Sequence, residues 1–99
     1  MLEPTVVRAV RALPPAANRP ANGVDALVFD ALRLFEAHGG ALGEPTVAHL
    51  AHWCDVGVRQ AKDAVKRLRM RGLVVAIGRV PGRTGLAQTY RAVVEVAGG

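Results

Sequence analysis

Three stop signals divide the middle of this chain. Gly39-Gly40, the Asp55-Val56-Gly57 turn and Gly72 leave three segments between residues 23 and 71, each with apolar residues at helical spacing. Glycine just past such a run ends a helix, because it takes left-handed backbone angles at no steric cost. Helices this short are marginal in isolation, so they must bury their apolar faces on one another. In the first segment Val24, Leu27, Val28, Ala31, Leu34 and Phe35 make a broad stripe reaching about His38. Asn22 is its expected N-cap, with Asp25 in the first turn. Phe29 falls roughly 100° outside the stripe and is expected to face a second copy or the N-terminal arm. Thr46 is expected to cap the second helix, whose inner face is Val47, Leu50, Ala51 and Cys54. The third is expected from Val58 to about Arg71, with Ala61, Ala64, Val65 and Leu68 inward.

The flanks read differently. Residues 1–22 are expected to form an arm: a short helix over 5–13, with Val6, Val10 and Leu13 on one face, then an extended Pro-rich linker over 14–22. Ala41-Leu42-Gly43 is a connector with room for one strand bridge at most. After Gly72 the period changes to two. Leu73–Val80 and Thr89–Val96 are expected to pair as a β-hairpin. Leu73, Val75 and Ile77 alternate on one strand, and Tyr90, Ala92, Val94 and Val96 on the other. The turn-rich PGRTGLAQ between them carries Arg83. The expected class is α+β, mainly α, with a three-helix core and a C-terminal hairpin over residues 23–97.

Charge is segregated along this framework. The chain has 99 residues and a formal net charge of +5. Residues 57–83 carry +7, residues 1–56 carry −2, and residues 84–99 are neutral. Clustered positive charge on a mildly acidic body repels itself unless a polyanion neutralises it. The ordinary alternative is a solvated basic helix face. No apolar run approaches the ~18 residues of a membrane span. Met1-Leu2-Glu3-Pro4 lacks the basic start and apolar core of a signal peptide. A single cysteine, Cys54, precludes an internal disulfide. A cytoplasmic protein is the expectation.

The element order and several residues resemble the winged helix-turn-helix DNA-binding family. Pro45-Thr46, followed after three residues by Leu50-Ala51, is similar to that family's P-S-x-x-x-L-A opening of helix two. Asp55-Val56-Gly57 stands where the family usually has G-V-S. Arg59, Ala61, Lys62, Leu68, Gly72 and Leu73 fall in register with its S-x-R-x-V-x-R…L-x-x-x-G-L pattern, and Gly78-Arg79 and Tyr90 look like the wing strands. The resemblance covers about residues 23–96. In pattern it is similar to small bacterial regulators and to the winged helices of phage and plasmid replication proteins. It implies double-stranded DNA as partner, with the third helix in the major groove.

With Ala61, Val65 and Leu68 inward, Arg59, Asp63, Lys66 and Met70 point directly away from the core. Arg59 and Gln60 lie in the first turn, the part usually inserted deepest. Arginine matches the guanine edge and glutamine the adenine edge through paired hydrogen bonds, and Asp63 suits a cytosine amino group. Arg59, Gln60 and Asp63 are therefore the expected base readers. Thr46, Lys62, Lys66, Arg67 and Arg69 are expected on phosphates, which set register rather than sequence. Arg79 and Arg83 are expected to reach backbone or minor groove from the wing. One recognition helix gives a short footprint, so a homodimer is expected, with Phe29, Val6, Val10 and Leu13 as candidate contact residues, the alternative being that both apolar surfaces pack within one molecule. That role leads to transcriptional regulation, or to plasmid or phage replication or partition.

Other chemistry is weaker. His49, His52 and Cys54 lie within helical reach of one another, as in a metal-sensing repressor. However, Cys54 falls on the core side and no further ligand has matching spacing, so no metal is expected. Trp53 is expected to pack under the turn. No nucleophile–base pair, carboxylate pair or phosphate loop is present, so neither an enzyme nor a cofactor is expected. The rival from another class is a protein-binding winged helix that uses the apolar arm.

Overall fold

The computed structural model describes residues 13–21, 23–39 and 41–96. Three helices come first: α1 (Gly23–Ala37), α2 (Val47–Cys54) and α3 (Val58–Met70). An antiparallel hairpin of β1 (Val74–Gly82) and β2 (Gly85–Ala92) follows. This is the α+β, mainly helical order of a winged helix-turn-helix. Among the described residues, no helix is long and apolar enough to cross a membrane. The expected helix over 5–13, Val6, Val10 and the Asn22 cap lie outside the described residues.

Local chemistry sets the helix ends. Thr46 is extended, and its hydroxyl accepts from the His49 amide, capping α2. At the other end Asp55 takes the left-handed conformation, with φ of 54°. The Asp55 amide donates to the His52 carbonyl and the Val56 amide to the Ala51 carbonyl. These two bonds close α2 and redirect the chain into α3 within three residues. Gly57 then caps α3 without a side chain. Its own amide donates to Gln60 Oε1 at 2.9 Å, which is half of a capping box. Gly72, at φ +73°, closes α3 in the same way, with amides 72 and 73 donating to carbonyls 69 and 68. A residue with a Cβ is strained at such an angle.

Packing centres on α1. Its buried residues run almost all round: Asp25, Ala26, Val28, Phe29, Asp30, Ala31, Leu32, Arg33, Leu34 and Phe35. Leu50 and Cys54 of α2, Ala64, Val65 and Leu68 of α3, and Val74 and Ala92 of the hairpin complete the core. Phe29 is fully buried. The expected contact between copies through Phe29 is therefore corrected: the side chain is spent within one molecule. Residues 13–21, expected as an extended linker, instead make a turn at 17–18, where the Arg19 amide donates to the Ala16 carbonyl at 3.3 Å, and dock on the domain. Ala16 bridges Val96, and the Ala17 amide donates to the Glu95 carbonyl. Asn18 bonds the Val93 carbonyl and the Glu95 amide. Pro20 is buried, and Leu13 packs half-buried against the core. This strap covers the side of α1 that periodicity leaves outward.

Buried charge holds the strap. Asp30 accepts from Arg19 Nε at 2.9 Å and from Arg33 at 3.4 Å. Arg33 also donates to the Pro14 carbonyl. Among the described residues no buried side-chain polar atom lacks a partner.

The hairpin departs from expectation in both extent and phase. β1 starts one residue later and β2 four residues earlier, so the turn shrinks to Arg83-Thr84 between the paired Gly82 and Gly85. Val74 and Ala92 pair and are buried, whereas Val75 and Ile77 are exposed. The inward phase is set by Val74 from the start of β1, one residue off the expected alternation, and a bulge follows: Ala76 pairs Tyr90 and Gly78 pairs Thr89, leaving Ile77 without a partner. Val94 and Val96, expected in the strand, lie beyond it in the tail that meets the strap. No strand forms over residues 41–43. Just beyond the connector, the Pro45 carbonyl accepts from the Tyr90 amide of β2 at 3.1 Å.

Phe29 decides between the two readings of α1. Phe29→Ala is expected to cost about 3–5 kcal/mol of unfolding free energy by urea titration, with the sedimentation coefficient of the folded protein unchanged. A stable variant with an altered oligomeric state would contradict this packing.

Candidate nucleic-acid interface

The third helix presents two sharply different faces. Ala61, Ala64, Val65 and Leu68 are buried; Arg59, Gln60, Lys62, Asp63, Lys66, Arg69 and Met70 are exposed. These are the faces expected from the period. At about 1.5 Å per residue the helix is roughly 20 Å long, enough to cross a major groove about 12 Å wide. Among the described residues, Arg59, Lys62 and Lys66 have no ion-pair partner. Their charge is uncompensated and faces solvent.

Lys62, Asp63, Lys66, Arg69 and Met70 form one wall of a groove of about 610 Å³, and Val47 and Tyr90 contribute to the rest. Arg69 is fixed here, its guanidinium carbon 5.7 Å from the centre of the Tyr90 ring. The contact joins α3 to β2 and leaves the edge of the guanidinium free to donate. Tyr90 carries this role unforeseen in the sequence, where it reads only as an inward strand residue. An aromatic near a strand start, with an arginine late in the preceding helix, is the signal that could have found it. By register Ala76 pairs Tyr90 and Arg79 pairs Gln88, so Arg79 shares the hairpin face of Tyr90. Arg83 stands exposed in the turn.

Three of the expected contacts are otherwise occupied. Arg67 is turned back on the body: its Nη2 is 2.7 Å from Asp25 Oδ1, and its Nε donates to both carboxylate oxygens. The Asp25 hydrogen bond pushes the Arg67 pKa further up, with the charges of Asp25 and Asp63 adding to it and desolvation opposing. This cation is an anchor between α1 and α3 rather than a free phosphate contact. Thr46 is only 6 % exposed, and its hydroxyl is shared between the His49 amide and His49 Nδ1. It is a cap and not a free phosphate donor. Gln60 is exposed, but its carbonyl oxygen already accepts from the Gly57 amide, so paired bonding to adenine has to share that oxygen with the cap or break it. The spacing Gly57-x-x-Gln60 is itself a capping-box signal.

The metal constellation does not assemble. Cys54 is 3 % exposed, and burial, with the Asp30 charge second, pushes its thiol up to about 11. A neutral thiol in the core is a poor ligand, and no group of three His, Cys, Asp or Glu residues among those described is placed to hold an ion. Trp53 packs against the core and donates its indole N–H to the Leu42 carbonyl. Scans against protein-family models and curated proteins find no match to this chain.

The division of labour on α3 is measurable without any ligand. Arg67→Ala strips a partner from an Asp25 side chain that is 5 % exposed. It is expected to lower the melting temperature clearly, while Lys62→Ala and Lys66→Ala leave the unfolding free energy within about 0.5 kcal/mol of the parent. Equal melting of all three variants would remove the distinction between anchor and free cation.

Proposed function

We propose that this protein binds double-stranded DNA by placing α3 in the major groove, with Arg79 and Arg83 of the wing on backbone or minor groove. The observation that carries the reading is the uncompensated row of Arg59, Lys62 and Lys66 on the outer face of α3. A solvated helix has no need to leave cations unpaired when acids are available elsewhere on the body. Arg59 is the base reader in this scheme, beside Asp63 as a cytosine acceptor. Lys62, Lys66 and the Tyr90-held Arg69 take phosphates. Two copies on one operator would lengthen the footprint, in a transcriptional regulator or a replication or partition factor. The buried free thiol of Cys54 suits the reducing cytoplasm.

The docked strap disfavours the protein-binding alternative, because Leu13 packs on its own core rather than outward. Selection from a random duplex pool, followed by fluorescence anisotropy across a salt series, tests the reading. About six phosphate contacts predict a slope of log affinity on log salt near −5. Arg59→Ala is expected to reduce the preference for the selected site over a scrambled one. Lys66→Ala should weaken both duplexes alike and flatten the slope by about one unit. Affinity indifferent to salt would overturn the proposal.

A further inference from the structure

The tip of the wing has an unusual surface. Leu86 is 69 % exposed and is not part of the core. It pairs directly with Pro81, also exposed, one rung below the Gly82–Gly85 pair that carries the Arg83-Thr84 turn. The two glycines make the tip slim. Gly85 has φ +129°, where a side chain is strained. A Cβ on Gly82 would lie 3.1 Å from the Gly85 carbonyl oxygen. Beyond the Pro81–Leu86 rung, therefore, only Arg83 and Thr84 carry side chains. A slim ribbon with an arginine at its point and an apolar pair just behind fits a minor groove about 6 Å wide.

The reach also fits. At about 3.3 Å per residue, the turn lies roughly 20 Å from the Ala76–Tyr90 rung, where the hairpin meets the α3 groove. Half of the ~34 Å helical repeat, about 17 Å, separates the centre of the major groove from the adjoining minor groove.

We propose that the hairpin tip enters the minor groove with Arg83 and that Leu86, backed by Pro81, wedges between base pairs and kinks the duplex. The inference rests on the DNA reading above and adds a mechanical role to it. Arg83 supplies the attraction, strongest where the minor groove is narrow. The leucine side chain replaces part of the stacking it disrupts, most readily at a flexible pyrimidine–purine step. Such wedges bend DNA toward the major groove. Here the minor groove that receives the tip faces the protein, so the kink opens that groove around Arg83 and Leu86 and bends the duplex away from the body. An exposed leucine at this point in the fold, useless to the core, gains a function.

The test is energy transfer across an end-labelled duplex carrying the selected site, with full-length protein. A bend of roughly 20° or more is expected with the parent protein. Leu86→Ala should melt as the parent does and still bind, with altered affinity, but leave the duplex straight. Leu86→Met should restore bending. A mismatch at the wedged step, which lowers the cost of unstacking, should tighten the parent and not Leu86→Ala. Binding without bending, or full bending by Leu86→Ala, would overturn the wedge and leave the DNA reading intact. A shift in oligomeric state on Leu86→Ala would assign the leucine to a second copy instead. No binding to any duplex would overturn both.

Discussion

The small-residue seam of α3 determines most of this molecule. Ala61, Ala64, Val65 and Leu68 are buried together, and two alanines in the seam let the helix lie close to α1. Once that face is committed inward, the 3.6-residue period leaves no choice about what faces out. The cations of α3 are then external because the seam is internal. Asp25 fixes the rotation from the side: its carboxylate holds Arg67 in a paired contact between α1 and α3. A charge pair of this kind contributes more to orientation than to net stability, since desolvating Asp25 offsets much of the attraction.

Around α1 the same economy operates with opposite signs. Asp30 is buried and joined to Arg33 and Arg19, and Arg33 reaches the backbone of the strap at Pro14. The strap and the tail beyond β2 pair with each other through Ala16 and Val96. Residues 13–21 therefore belong to the domain and pack Leu13 and Ala16 against its core. Asp25 and Asp30 are spent in internal ion pairs while most cations of α3 and the wing are left outside. The net charge of +5 thus understates how positive the exposed α3–wing surface is.

The helices are legible in the sequence because short apolar periods and their stop residues are local signals. Asp55 in the left-handed turn and the Ala61–Leu68 face both follow from spacing alone. Phe29 is only half legible: spacing leaves it to a second copy or the arm, and its complete burial within one molecule depends on tertiary packing that no periodicity encodes. The strand phase departs twice: Val74 rather than Val75 turns inward opposite Ala92, and the bulge at Ile77 then shifts the pairing again. Within the site, residue type points to Arg59, Lys62 and Lys66 correctly as exposed cations. It misplaces Arg67, because Asp25 lies more than forty residues away in sequence. It misses Tyr90, whose partner Arg69 is likewise brought up by tertiary structure.

The central claim is that one continuous surface, the outer face of α3 and the wing, meets DNA. Amide chemical-shift mapping of the labelled protein during titration with a duplex tests it most directly. The account predicts the largest shifts at Arg59, Lys62, Lys66, Arg79 and Arg83, with the buried seam and the strap at Ala16–Asn18 nearly still. Shifts concentrated on the strap and the Val93–Val96 tail, with α3 unmoved, would contradict it.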